Sequence, residues 1–328
     1  MFGTLRLVLA LMVVASHVEI PHQIDLGGVA VTLFFLLSGY VMTATVRRYY
    51  NTPQRYSWFL ADRAGRILPQ YIFWTVICIL WVAFADRPWA ALGWQEIVEN
   101  IALLPSMFAV FNLKPWLTGV RYITQTWSLS LECYFYLLLP WLILFPRTKT
   151  VAGVLSMSIF TLASLHIIDP YVHAYRLLPG VLFVFLLGSI VYDELDHPDT
   201  QKTRLLLPFV YIVLLGSVAN SLKTLHYPWI TEVYLGIIVG LPLLRWLARL
   251  GQHPVDNWLG NLSYGVFLCH NLVLRVIYRF DMFHDRWLIF CVAAGVSTIL
   301  GGIAYYAVER PIVSWRHKLR QTKTMVEP

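Results

Sequence analysis

From its N-terminus the chain alternates apolar runs of helical length with short polar segments rich in arginine. Crossing about 30 Å of hydrocarbon as a helix takes roughly 20 apolar residues. On that criterion the pattern predicts an all-α, polytopic membrane protein with about ten transmembrane helices, at approximately 4–21, 27–46, 69–85, 127–145, 150–168, 176–193, 204–222, 228–246, 258–278 and 287–308. The run 97–110 is apolar but too short to span. With Glu96, Glu99 and Asn100 at its start it reads as a re-entrant or interfacial helix. No internal repeat and no Gly/Ser-rich linker divides the chain. It therefore reads as one membrane-embedded domain, 1–316, with a short cytoplasmic tail, 317–328.

Composition agrees with this pattern. Only 13% of residues are charged and 58% are hydrophobic, against about a quarter charged in a soluble domain. The 13 tryptophans and 18 tyrosines suit the headgroup level on either side of a bilayer. A net charge of +7 would raise nucleic acid as a partner for a soluble protein. Here the basic residues lie between apolar blocks and form no basic aromatic surface, so no nucleic acid is expected. With the N-terminus inside, 17 of the 25 Lys and Arg fall on the cytoplasmic side, which puts both termini in the cytoplasm. The basic region of the N-terminus is a single Arg and no convincing small-residue cleavage site follows, so the first run reads as a retained span rather than a signal peptide. Cys78, Cys133, Cys269 and Cys291 lie in apolar runs without metal-ligand spacing. They read as small buried hydrophobes, and no metal is expected.

Charged groups inside a span are costly and usually face a cavity or a partner. Among the carboxylates, only Glu132 falls well inside a predicted span, with Glu309 at the end of the last. His17 and His270 are the histidines clearly within spans. Arg6 and His17 are eleven residues apart in "LRLVLALMVVASH", three turns plus about 20°, so they share a helix face about 16 Å apart along the axis. Against a functional pairing stands a snorkelling arginine and a histidine bonded in the core. In "GGVAVTLFFLLSGYVMT" the glycines permit close helix approach and Ser38 supplies a hydroxyl. Arg63 and Arg66 share a face just before Pro69, where the third span is expected to begin. Two guanidiniums there suit phosphate, either of a substrate or of a lipid headgroup. "TWSLSLE" puts Ser128 and Glu132 one turn apart, and "LSYGVFLCH" puts Ser263 and His270 nearly on one face. Glu309 and Arg310 in "VERP" are placed to close a salt-bridged helix end.

In this order, from Arg6–His17 through "FFLLSGYVMT", Arg63–Arg66, "TWSLSLE" and "LSYGVFLCH" to "VERP", these segments resemble acyltransferase family 3, the integral membrane O-acyltransferases. The resemblance runs from residue 5 to about residue 315. One departure lies in the second span, where the family often has an acidic residue and this chain has Ala30 and Val31. The resemblance implies an enzyme of the bacterial inner membrane that takes an acyl group from cytoplasmic acyl-CoA, usually acetyl-CoA. It passes that group to a sugar hydroxyl of an extracytoplasmic or lipid-linked glycan such as exopolysaccharide or lipopolysaccharide. The chain resembles the stand-alone form without an SGNH-type domain. Implied partners are acyl-CoA, a glycan acceptor, membrane lipids and glycan-assembly proteins.

On that reading Arg6, Arg63 and Arg66 hold the coenzyme A phosphates. His17 is the general base, or the carrier of the acyl group, and Glu132 orients it. Ser38, Tyr40, Tyr264 and His270 are candidates for the substrate side. The rival reading is a transporter or flippase in which Arg6, His17, Glu132 and His270 form a proton or substrate path. The paired broken helices of two repeated halves that such a protein needs are not visible.

Overall fold

The computed structural model describes residues 2–18, 20, 24–86, 92–111, 121–196, 228–251 and 253–313. Among these the chain forms ten α-helices. They are α1 (Phe2–His17), α2 (Leu26–Tyr49), α3 (Tyr56–Trp81), α4 (Trp94–Ile101), α5 (Thr126–Leu144), α6 (Pro146–Ser164), α7 (Leu178–Asp196), α8 (Pro228–Arg249), α9 (Pro254–Arg279) and α10 (Arg286–Ala304). Short π-helical turns at Val82–Asp86, Tyr171–Arg176 and Tyr305–Glu309 extend α3, precede α7 and extend α10.

The expectation of about ten transmembrane helices is corrected. Among the described residues six helical segments are long and apolar enough to cross a membrane: Leu26–Tyr49, Pro53–Asp86, Thr126–Leu144, Leu178–Asp196, Trp229–Arg249 and Arg286–Val313. Of the other four predicted spans, α1 is only 16 residues long. α6 opens on Arg147 and Lys149 and is interspersed with serine and threonine. α9 carries Asp256, Asn257, Asn261, His270, Asn271 and Arg275. The segment 204–222 lies outside the described residues, as does the tail 317–328. For α9 the physical reason is burial within protein, whereas α6 exposes Val151, Val154 and Leu155. α9 packs chiefly on α1 and α10, so its polar side chains meet protein partners instead of lipid, and hydropathy ceases to measure exposure.

α1 and α9 cross with their backbones touching. A Cβ on Gly260 would sit 2.8 Å from the Gly3 Cα. Asp256 of α9 caps the first turn of α1, accepting from Gly3 N at 3.0 Å, Thr4 N at 2.8 Å and Thr4 Oγ1 at 2.8 Å. The orphan amides of a helix start are thereby met from a neighbouring helix. α2 is capped by Asp25, which accepts from Gly27 N at 2.9 Å, and it ends on Arg47 and Arg48, where the helix dipole favours cations. It crosses α7 with Gly39 against the Phe185 carbonyl and Gly188 against the Leu36 carbonyl. Beside that crossing, Phe35, Phe185 and Phe135 stack with centroids 4.5 Å apart in each step.

The third helix does not begin at Pro69, where the sequence pattern put it. α3 starts at Tyr56 and runs through Pro69, so Arg63 and Arg66 lie on the helix itself. Leu68, Ile72, Val76 and Leu80 form an exposed apolar stripe on its outer side. The run 97–110 becomes α4 and a 3₁₀ stretch, Leu104–Phe111. In α4 the amphipathicity is inverted: Trp94 is 77% exposed and Val98 54%, while Glu96, Glu99 and Asn100 are buried. Glu96 accepts from Tyr122 OH at 2.6 Å and Glu99 meets Arg121 at 3.3 Å. A helix with apolar groups outside and carboxylates inside suits a lipid-facing position. The cysteines are not uniformly buried. Cys78 and Cys269 are, Cys133 is half-buried and Cys291 is exposed. Cys291 shares α10 with exposed Trp287 and Leu288, a face where lipid accepts small apolar groups as readily as a core does.

Candidate functional site

One cavity of about 370 Å³ lies among α1, α2, α3, α5, α9 and the turn after α10. Along α2 it is lined from Thr45 through Met42, Ser38 and Phe34 to Val31, which is about 21 Å of helix. Arg63 and Arg66 of α3 stand toward the Thr45 end, the same end as Arg47 and Arg48. Along α9 the lining runs from Asn261 through Tyr264 to Phe267. The cavity is thus elongated, cationic at one end and aromatic at the other.

Six of the nine candidate residues line it: Arg6, Ser38, Arg63, Arg66, Glu132 and Tyr264. Arg6 makes no hydrogen bond or ion pair with any described residue, and the charges that act on it are chiefly Glu132, attractive, and Arg63, repulsive. Arg63 pairs with its neighbour Asp62 and reaches Met42 Sδ at 3.3 Å. Arg66 pairs with Glu309, which is fully buried and also accepts from Gln70 Nε2 at 2.6 Å. Glu309 therefore does not close a helix end with Arg310, whose guanidinium lies 5.5 Å from the Tyr306 ring centre. Tyr264 donates to the Ile67 carbonyl at 2.9 Å, and the Arg66 guanidinium is 5.7 Å from its ring centre. Glu132 accepts from Ser38 Oγ at 2.7 Å and from Tyr136 OH.

His17 and His270 form a second centre. His270 is fully buried, whereas His17 is exposed. His270 Nε2 lies 3.3 Å from His17 Nδ1, with ring centres 5.1 Å apart. Each ring also turns Nδ1 to a carbonyl of its own helix, His17 to Val13 at 2.9 Å and His270 to Val266 at 3.1 Å. A carbonyl only accepts, so in the neutral rings each Nδ1 carries the proton. His270 Nε2 is then a lone pair facing the His17 Nδ1–H, and His17 Nε2 holds a lone pair of its own. That is the form of imidazole able to take a proton or attack an acyl carbon.

The structure does not bring Glu132 to His17. Ser38, which binds Glu132, is about 20 Å along α2 from Asp25, at the His17 end. Tyr40 also lies apart from the cavity, between the rings of Phe2 at 5.2 Å and Tyr192 at 5.5 Å.

Several polar groups near these centres had not been singled out. Tyr136 was legible as the i+4 neighbour of Glu132. Ser16 donates to Asp25, and the Asp25 amide donates to Glu232 Oε1 at 3.0 Å. Glu232 lies inside the predicted span 228–246 and is 2% exposed, so Glu132 is not alone as a deep carboxylate. Gln125 Nε2 donates to the Phe267 carbonyl and, at 3.3 Å, to the Leu268 carbonyl. That pins α9 one turn before His270.

The sequence profile of an acyltransferase domain matches residues 3–307. An uncharacterized protein of Aquifex aeolicus (strain VF5) is 34% identical over 158 residues, covering 47% of this chain and 72% of its own length. The exopolysaccharide production protein ExoZ of Rhizobium meliloti (strain 1021) is 22% identical over 305 residues, 89% of this chain and 91% of ExoZ. The peptidoglycan O-acetyltransferase OatA of Listeria monocytogenes is 23% identical over 314 residues, 83% of this chain and 49% of OatA. No solved structure matches the chain.

Proposed function

The chain belongs to this acyltransferase family, and from that premise we propose that it moves an acetyl group from acetyl-CoA to a sugar hydroxyl of an extracytoplasmic glycan. The observation that carries the reading is the shape of the cavity. It is cationic where phosphates would bind, long enough for an extended arm, and it ends one helical turn before His270 on α9. The names of the relatives, one for exopolysaccharide production and one for O-acetylation of peptidoglycan, support a glycan as acceptor.

Lys and Arg favour the cytoplasmic side of a bacterial inner membrane. The end carrying Arg47, Arg48, Arg63 and Arg66 would then face the acyl-CoA pool. The phosphates lie against Arg6, Arg63 and Arg66, through forked, charge-assisted hydrogen bonds. Glu132, held by Ser38 and Tyr136, keeps the Arg6 guanidinium in place between turnovers. Tyr264 holds α9 to α3 and bounds the arm. The thioester comes to the histidines at the opposite end.

There the lone pair on His17 Nε2 takes the proton of the acceptor hydroxyl as its oxygen bonds to the acyl carbon. The carbon–sulfur bond breaks and the proton passes from the imidazolium to the leaving thiolate, giving an ester and free CoA. The His17 Nδ1–H is shared between the Val13 carbonyl at 2.9 Å and His270 Nε2 at 3.3 Å, which together take the orienting role expected of a carboxylate in a triad.

The test is acyl transfer by the purified chain given labelled acetyl-CoA, with and without a glycan extract, for the wild type and His17→Ala. The expected result is CoA release and labelled glycan only when extract is present, with the variant silent. Label retained on the wild-type protein without acceptor would instead assign His17 as an acyl carrier. A variant as active as the wild type removes His17 from the reaction.

A further inference from the structure

The turn before α7 carries a guanidinium that no described residue pairs. Thr43 Oγ1 lies 2.7 Å from Ser189 Oγ and Arg47 meets Asp193 at 2.8 Å, so α7 runs beside α2 in the same direction. The π-helical turn Tyr171–Arg176 that precedes α7 therefore lies toward the Asp25 end of α2, which is the end of the histidines. Asp25 acts electrostatically on both His17 and Tyr175, so Arg176 belongs to their neighbourhood. Arg176 is held between two rings, its guanidinium carbon 4.3 Å from the ring centre of Trp127 and 5.4 Å from that of Tyr171. Trp127 in turn precedes Ser128 and Leu129, which line the cavity. Like Arg6, Arg176 makes no hydrogen bond or ion pair among the described residues, and the groups that act on it are the phenols of Tyr171 and Tyr175, not a carboxylate. Its Nε is buried without a partner, while part of the residue stays exposed.

We infer that Arg176 binds an anionic group, a carboxylate or a phosphate, carried by the acceptor glycan. This rests on the glycan reading above and makes the acceptor an acidic polymer rather than a neutral one. The physical reason starts from what the two rings leave undone. Aromatic faces attract the cation but accept no strong hydrogen bond, so the N–H donors of the guanidinium stay unmet. With Nε buried, the donors left for a ligand are those of the two terminal nitrogens, and a carboxylate or phosphate accepts from such a pair in forked geometry. The rings also hold the side chain in place before a ligand arrives, so little rotamer freedom is lost on binding. The carboxylates at this end are engaged elsewhere: Asp25 accepts from Ser16 and the Gly27 amide, and Glu232 from the Asp25 amide. The bias that gathers Lys and Arg at the cytoplasmic side gives no reason for an arginine here, opposite Arg47 and Arg48. Arg176 thus recognises charge on the acceptor, while His17 acts on its hydroxyl.

The experiment gives the purified chain in lipid nanodiscs acetyl-CoA and a glycan extract in three forms: untreated, carboxyl-reduced so that uronic acids become neutral sugars, and dephosphorylated with hydrofluoric acid. Thiol release yields kcat and KM for each form. Equilibrium binding of labelled fragments of the same extracts, without acetyl-CoA, reads the site apart from transfer. For the wild type one of the two treatments is expected to raise KM at least about tenfold, and the treatment that does so assigns the anion as carboxylate or phosphate. Arg176→Met keeps a long side chain against the rings but no charge. It should raise KM for the untreated extract at least about tenfold and should no longer distinguish the three forms. Arg176→Lys, charged but without the fork, should fall between the two and replaces the methionine variant if that one fails to fold. A wild type that uses all three forms alike overturns the inference, as does a methionine variant that loses equally on all three. So does a loss seen in nanodiscs but absent in lipid-free detergent, which assigns Arg176 to a lipid phosphate. Thiol release with none of the extracts defeats the acyl-transfer reading. In that case Arg176-dependent binding of the untreated fragments still upholds the site, and its absence overturns it.

Discussion

Replacing Arg6 by alanine separates a ligand-binding cation from a structural one. Arg6 lines the cavity and makes no hydrogen bond or ion pair among the described residues. Removing it breaks no protein contact of that kind, and the attraction to Glu132 is offset in part by repulsion from Arg63. Unfolding free energy should therefore change by less than about 1 kcal/mol. Binding should change far more. A hydrogen bond to a charged group contributes about 1.5–3 kcal/mol, and each 1.4 kcal/mol is about tenfold in affinity. With Arg6 on a phosphate as proposed, loss of even one such bond should weaken CoA binding at least about tenfold, and loss of a forked pair should weaken it further. Arg6→Lys keeps the charge but not the fork, so it should fall between the wild type and alanine. Equilibrium binding of CoA in nanodiscs, with thermal unfolding of the same samples, gives both quantities. An affinity within about threefold of the wild type, together with a clear loss of thermal stability, would refute the reasoning and make Arg6 the counter-charge of Glu132 alone.

Glu309→Ala removes a fully buried carboxylate that partners Arg66 and Gln70. It should cost about 3 kcal/mol, read by thermal unfolding in detergent, with Glu309→Gln costing less because it keeps an acceptor for Gln70. Gly39→Ala sets a methyl group against the Phe185 carbonyl, a backbone atom no rotamer change can move. The expected loss is about 1–3 kcal/mol in the same assay, and an unchanged unfolding temperature would mean the α2–α7 crossing is looser than described.

The sequence made the arginine-lined end of the cavity legible because intramembrane charge is rare and costly. Arg6, Arg63, Arg66 and Glu132 stood out against apolar neighbours, and all four line one cavity. Periodicity orients a side chain around its own helix but does not say which helix it faces. Hence Glu132 was expected beside His17, whereas its partners are Ser38 and Tyr136. Glu309 was expected beside Arg310, whereas it reaches back to Arg66 on α3. The link from Glu232 to Asp25 joins residues 207 positions apart, a separation at which no local pattern carries information. The number of long apolar helices was overestimated for a related reason. A helix wrapped by other helices, such as α9, is free to carry polar residues and need not meet the hydropathy expected of a lipid-facing span.

Where α1 meets α9 and α2 meets α7, main chain lies on main chain with no layer of side chains between. Such crossings have no soft rotamers to absorb displacement, so those four helices behave as a stiff frame. The other cavity walls, α3 and α5, reach the frame and the turn after α10 through side chains: Phe135 stacks on Phe185, and polar bonds join Tyr264 to Ile67, Ser38 to Glu132, and Glu309 to Gln70 and Arg66. These contacts can swing or be exchanged one at a time. Any widening of the cavity is therefore borne by the compliant side, with α3 tilting its exposed apolar stripe into the bilayer while the helices bearing the two histidines stay in register.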